Sequence, residues 1–201
     1  MFRKGAKHTT SALVKISATR RRRAEEERQR NKAVLLALVP DRAGIVRIPL
    51  TQGKVALVDS ADLSLVAEHK WWVYRHGRTF YAETHIRRID GTRTLLKMHR
   101  LLLNPRPGFQ TDHIDGDGLN NIRANLRAAT TAENQHNQRL SRRNTSGYKG
   151  VSFNKQAGKF KAEIRVNGPQ LHLGYFTTAE DAHAAYSEAA ARYHGEFARL
   201  K

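Results

Sequence analysis

The chain is 201 residues long and carries 36 Lys+Arg against 18 Asp+Glu, a formal charge of +18. This exceeds what solubility needs and points to a polyanion, nucleic acid above all, as partner. The length allows one large domain or two small ones, and the lack of cysteine excludes disulfides and thiolate zinc sites and suits a reducing cytoplasm.

No apolar run approaches the ~20 residues that span a bilayer. The short apolar segment 34–39 follows a charged block instead of ending at a cleavage site, so neither a membrane span nor a signal peptide is expected. The charge is unevenly spread: residues 1–48 hold 13 Lys/Arg and 4 Asp/Glu, residues 49–138 hold 12 and 9, and residues 139–201 hold 11 and 5.

In chain order, residues 1–44 read as a basic accessory arm, helical or partly disordered. Arg20 to Arg23 followed by Glu25, Glu26, Glu27, Arg28 and Arg30 sets opposite charges three and four apart, a pattern that favours a solvated helix. From Ile45 the texture changes to short apolar runs and turns. Val55 to Val58 and Trp71 to Tyr74 read as strands, the second turning at His76-Gly77 into Thr79 to Ala82. A further hairpin flanks Asp90-Gly91, and Asn104 to Gly108 is a breaker cluster. A short helix opens at Thr130 or Thr131 and runs to about Gln138. Residues 140–147 form a basic, small-residue linker, and residues 148–201 a second unit of three strands and one helix.

The densest chemistry lies in Thr111-Asp112-His113-Ile114-Asp115-Gly116-Asp117-Gly118, followed by Asn120-Asn121-Ile122-Arg123-Ala124-Asn125-Leu126 and Glu133-Asn134. Phosphodiester cleavage needs an activated water and positive charge beside the phosphate. His113 is the candidate general base, because an imidazole changes charge near neutral pH. Asp112 and Asn134 are candidate ligands for one divalent ion; their hard oxygens favour Mg2+ or Mn2+ over zinc. Asn125 would tie the loop together through its amide. The Asp115-Gly116 and Asp117-Gly118 pairs read as turns. An EF-hand reading fails on register, since Gly118 at the sixth loop position puts His113 first and Ala124 twelfth, where carboxylates are required.

This set of motifs resembles the HNH endonucleases, in particular the phage and intron-encoded homing branch, over about residues 45–138. The resemblance implies a strand hairpin, loop and helix gripping one metal ion, a ββα-metal nuclease module. Asp112 and Asn134 match the family's ligand positions, His113 its base, Asn125 its loop-bracing asparagine and His99 a common family position. Cysteines and histidine ligands of the zinc-stabilised members are missing, and Gln138 stands one turn after Asn134, where some relatives carry histidine.

The second unit alternates at period two. Phe160, Ala162, Ile164 and Val166 oppose Lys161, Glu163 and Arg165; Leu171, Leu173 and Tyr175 oppose Gln170, His172 and Gly174; Val151 and Phe153 oppose Ser152 and Asn154. Thr177 with Glu180 predicts a capping-box start, and Ala182, Tyr186, Ala189 and Tyr193 an apolar helix stripe ending at Gly195. Periodicity alone leaves two readings open: an ordinary sheet with one solvated face, or a sheet that enters a DNA groove.

Ser146 to Val151, Gly158 to Arg165, Leu173 to Phe176 and Thr178 to Ala182 resemble the DNA-binding domain of plant apetala and ethylene-response transcription factors, which also occurs fused to HNH homing nucleases. By that resemblance Lys149, Lys161, Glu163, Arg165 and His172 fall on the DNA-facing surface. Ser152 and Asn154 sit where the plant proteins tend to carry arginines.

The combined expectation is an α+β protein: a helical arm (1–44), a small antiparallel sheet leading into an HNH module (45–139), a linker (140–147) and a three-stranded sheet packed on one helix (148–201). It would be a metal-dependent endonuclease of double-stranded DNA, homing-endonuclease-like, cytoplasmic in a bacterial or phage-infected cell. A monomer is expected, with a dimer as the alternative. The rival function is a catalytically inactive, sequence-specific DNA-binding regulator.

Overall fold

A computed structural model describes residues 10–200, with side chains described from residue 17. The first nine residues of the expected basic arm, and Lys201, lie outside the described residues. The chain is α+β, with five helices and four small antiparallel sheets among the described residues. It divides into two compact units, residues 1–98 and 99–201.

In the first unit, α1 (Thr10–Leu36) covers the charged block and continues beyond it on both sides. Arg22–Glu26 and Arg28–Glu25 pairs line it at i,i+4 and i,i+3, as the charge spacing predicts. The helix is more than a solvated rod. Arg28 and Lys32 both reach Glu68, Lys70 reaches Glu27, and Asn31 Nδ2 donates to the carbonyl of His69. Leu35 is buried. The hairpin β1 (Ile45–Pro49) and β2 (Val55–Asp59) pairs Val46 with Val58 and Ile48 with Ala56; all four are fully buried. This is the alternation of a half-covered sheet.

Following α2 (Leu63–Ala67), Trp71 is buried with its indole Nε1–H donating to the Val66 carbonyl at 2.9 Å. Strands β3 (Trp72–His76), β4 (Thr79–Arg87) and β5 (Arg93–Lys97) make a meander in that order. Its second turn holds Asp90-Gly91, as the hairpin signal predicts; Asp90 Oδ1 accepts from both the backbone N–H and hydroxyl of Thr92. Glu83 is 2% exposed yet partnered, hydrogen-bonded to His76 Nε2 at 2.7 Å and ion-paired with Lys97 Nζ at 3.8 Å.

Helix α3 (Met98–Leu103), which carries His99, leads into the second unit, which holds the hairpin of β6 (Gln110–His113) and β7 (Leu126–Ala129), then α4 (Thr131–His136). Thr130 Oγ1 accepts from the Glu133 N–H while Glu133 accepts from the Thr130 N–H, a complete capping box that fixes where α4 begins. Beyond it lies a sheet ordered β10-β9-β8, made of β8 (Val151–Asn154), β9 (Lys159–Arg165) and β10 (Gln170–Phe176). Helix α5 (Ala179–His194) covers one face of it. Val151, Ala162, Ala179 and Ala182 form one core cluster, and Ile164, Tyr186, Ala189 and Ala190 the other.

Three local expectations are corrected. The α5 cap is Thr178, whose hydroxyl accepts from the Asp181 N–H, and not Thr177 with Glu180. The helix stripe ends on Ala190, because Tyr193 is exposed. A bulge between His172 and Gly174 breaks the alternation of β10. It brings Gly174 opposite Ala162 and Phe176 opposite Phe160, so Leu173 and Phe176 pack on the core while Tyr175 moves to the open face opposite Lys161. One glycine is required outright: at Gly150, with φ +75°, an added Cβ would lie 1.9 Å from the Tyr186 ring.

Candidate functional site

Asp112 and His113 end strand β6, and both are about 95% buried. Cross-strand register sets Asp112 opposite Arg127 and His113 opposite Leu126. Arg127 Nε donates to Asp112 Oδ2 at 2.9 Å. From the end of α4, Asn137 Nδ2 donates to both carboxylate oxygens of Asp112, at 3.0 and 3.1 Å, and to the backbone carbonyl of His113 at 2.8 Å. One amide therefore touches both of the residues that sequence reasoning placed at the centre. Asn134, one turn earlier, turns its Nδ2 to Gln110 Oε1 at 2.6 Å.

The His113 ring is fixed on two sides. Its Nε2 lies 3.2 Å from Asn121 Oδ1, and the His99 ring meets it edge-on, with centroids 4.9 Å apart. Asn121 is fully buried and its own Nδ2 donates to the Leu119 carbonyl. That bond directs Oδ1 at the imidazole and favours the tautomer with the proton on Nε2. Burial pushes the His113 pKa below the ordinary histidine value, against the opposing pull of Asn121 and of Asp115, Asp112 and Asp117. The ring is then neutral at neutral pH, the form a base requires. Asn121 was passed over in the sequence; the only signal was a second asparagine beside Asn120, eight residues after His113.

The loop between β6 and β7 is cross-braced. Asn125 Nδ2 donates to Asp115 Oδ1 and to the Asn120 carbonyl, while its Oδ1 accepts from the Asp115 N–H. Asp115 and Asp117 each accept a backbone N–H two residues on, the geometry of Asx turns. Burial raises the Asp115 pKa, but the hydrogen bonds from Asp117 N–H, Asn120 and Asn125 outweigh it and hold the carboxyl below its ordinary value.

No cluster of three or more His, Cys, Asp or Glu suited to a metal occurs among the described residues. The candidate donors are the Asp112 carboxylate, already contacted by Arg127 and Asn137, and the amide oxygen of Asn134, whose nitrogen donates to Gln110. Such an all-oxygen set fits a hard divalent ion better than zinc.

Two parts of the second unit are tied together at this site. Arg127 Nη1 donates to the Glu196 carbonyl at 2.7 Å, and its guanidinium lies 3.8 Å from the centre of the Phe197 ring. The rings of His136 and His194 stack 3.5 Å apart. Arg139 donates to the Gly116 carbonyl. Lys149 Nζ donates to the carbonyls of His136 and Gln138, at 2.5 and 2.9 Å, and so caps the end of α4. Burial, and secondarily the charge of Arg199, lowers its pKa to about 8.

On the sheet, the register aligns Ser152 with Lys161, Asn154 with Lys159, His172 with Glu163 and Gln170 with Arg165. These residues share the face away from the α5-covered core. Lys161 pairs with Glu163 at 2.7 Å, and that bond raises the lysine pKa. Tyr175 joins this face through the bulge, its ring 4.8 Å from that of His172 and its hydroxyl accepting from Asn154 Nδ2 at 3.3 Å. Alternation alone had put Tyr175 on the other side.

No family model matches the chain, nor does any solved structure. Among curated proteins, Protein 3.8 of Escherichia phage T7 is 34% identical over 94 residues, 47% of this chain and 77% of that protein. An uncharacterized HNH endonuclease of Acanthamoeba polyphaga mimivirus is 28% identical over 153 residues, 73% of this chain and 74% of its own length. An AP2-like ethylene-responsive transcription factor of Arabidopsis thaliana is 38% identical over 58 residues, 29% of this chain and 12% of that protein. Among the described residues no helix is long and apolar enough to cross a membrane.

Proposed function

The chain belongs to the family of Protein 3.8 of Escherichia phage T7; from its similarity to an HNH endonuclease and the geometry around Asp112 we propose that it is a metal-dependent, homing-type DNA endonuclease acting in a phage-infected cell. The observation that carries this reading is the contact of the Asn137 amide with both Asp112 and His113. That amide joins the Asp112 carboxylate to the backbone carbonyl of His113, whose own ring is braced by Asn121 and His99. Similarity to an HNH endonuclease over 73% of the chain and a charge of +18 support it.

In this reading the His113 imidazole takes the proton from a water aimed at the phosphorus, and Asn121 holds the ring in position. His99 packs the ring in place, and Asn125 holds the loop that shapes the site. Asp112 with the amide oxygen of Asn134 would hold one Mg2+ or Mn2+. Held there, such an ion would supply positive charge to offset that of the phosphate. One such site per monomer nicks one strand of the duplex. Incubating the whole protein with supercoiled plasmid, with and without Mg2+, tests the proposal. Relaxed circles are expected only with the ion, and tight binding with no relaxation at any ion concentration would sink it.

The second reading, a DNA-binding regulator without catalysis, draws on one observation: the Arg127 guanidinium already sits on Asp112. The plasmid experiment separates the two.

The open face of β8–β10 is proposed as the DNA-reading surface, through Ser152, Asn154, Lys161, Glu163, Arg165, His172 and, newly, Tyr175. Similarity to an AP2-like transcription factor supports it. Lys149 contributes by a different route, holding α4 against this module. Replacing Lys161 or Arg165 with alanine is expected to weaken duplex binding and to lower the slope of log K against log salt by about 1 per lost phosphate contact. Unaltered affinity and slope in both variants, measured by fluorescence anisotropy, would remove the sheet from the interface.

A further inference from the structure

Between α1 and the β3–β5 meander of the first unit lies a cleft of about 640 Å³, one of whose walls is aromatic. Trp72 lines it and is half-buried, unlike its buried neighbour Trp71. The Trp72 ring leans on His85, with centroids 4.9 Å apart. At the rim stand Arg87 and Arg93, both exposed and directly opposite each other across β4 and β5. Like charges directly opposite on a sheet oppose folding, and neither arginine has an ion-pair partner among the described residues. The carboxylates of the cleft, Glu27 and Glu68, are engaged by Lys70 and by Lys32 and Arg28. The two unmatched cations therefore set the charge of this rim.

A flat ring beside an uncompensated pair of guanidinium groups meets the two halves of a nucleotide, a base that stacks and a phosphate that carries charge. We infer that this cleft receives an unpaired nucleotide of a single DNA strand, its base against Trp72 and its phosphates on Arg87 and Arg93. Duplex DNA does not suit it, because a paired base offers no free face to the ring. The inference rests on the nuclease reading for the identity of the polyanion. It gives the protein a contact with melted or flanking strand that is separate from the sheet of the second unit.

The test uses full-length protein without added metal, so cleavage plays no part. Tryptophan emission is followed during titration with a 12-residue oligothymidylate, a duplex of equal length, an oligouridylate and polyglutamate. Oligothymidylate is expected to quench the emission and to bind most tightly. Trp72→Leu should weaken its binding about tenfold or more, while Trp72→Phe should keep most of it, since a ring remains. The double variant Arg87→Gln/Arg93→Gln should weaken binding to a similar degree yet melt no lower than the parent, because it removes a repulsive pair.

Absence of quenching, equal quenching by the duplex or by polyglutamate, or unchanged affinity in the arginine variant would each overturn the inference. Tighter binding of oligouridylate would overturn the assignment to DNA. Quenching by oligothymidylate in a protein that never relaxes plasmid would keep this inference and reject the nuclease reading. Plasmid relaxation without quenching would do the reverse.

Discussion

His113→Ala is expected to slow plasmid nicking by about 10²- to 10⁴-fold, the usual contribution of a positioned general base, with DNA binding unchanged. The ring is held by Asn121 on one nitrogen and by the edge of His99, and burial keeps it neutral. Alanine removes the proton acceptor and leaves the Asp112 contacts with Asn137 and Arg127 in place. Asn121→Ala should produce a smaller loss, because the imidazole remains but is free to adopt the wrong tautomer. Nicking rates by gel, with duplex affinity measured alongside, check both variants. A His113→Ala protein that nicks within threefold of the parent would rule the imidazole out as base.

Asp112→Ala should abolish nicking and also cost about 3–5 kcal/mol of stability, the penalty of leaving one partner of a buried ion pair alone. The Arg127 side chain is only 11% exposed; without the carboxylate its Nε–H loses its acceptor, and the Asn137 amide keeps only the His113 carbonyl. Asp112→Ala combined with Arg127→Leu should recover part of that stability, since no orphaned charge remains, but none of the activity. Urea unfolding followed by circular dichroism gives the first quantity and plasmid relaxation the second. A single variant less than about 1 kcal/mol weaker than the parent would mean the pair is better solvated than its geometry indicates.

Local chemistry carried much of the fold in advance. The Asp90-Gly91 turn, the Thr130–Glu133 cap and the alternation in β9 are short-range signals, and each element formed where its signal lies. What escaped were features that neighbouring parts of the chain decide. Thr177 and Thr178 are equally good caps by composition, and only the packing of α5 selects the second. The bulge that exposes Tyr175 depends on fitting Leu173 and Phe176 against α5, which alternation cannot report. At the site, the sequence gives two asparagines a helical turn apart, and spacing alone does not determine which one reaches Asp112. Asn137 does so because it is the C-cap of a six-residue helix, where the backbone swings its side chain back toward the strand end. The family resemblance put Lys149 on the DNA-facing surface; its bonds to the carbonyls at the end of α4 arise from tertiary contact that no local pattern reports.

The clasp on Arg127 has a mechanical consequence. The guanidinium that grips Asp112 is itself pinned by the Glu196 carbonyl and the Phe197 ring, with the stacked imidazoles alongside. The proposed cleavage site and the proposed DNA-reading module are thus joined by direct side-chain contacts. In a nuclease built this way, the broken bond would stand a constant number of base pairs from the bases gripped, whatever sequence lies between.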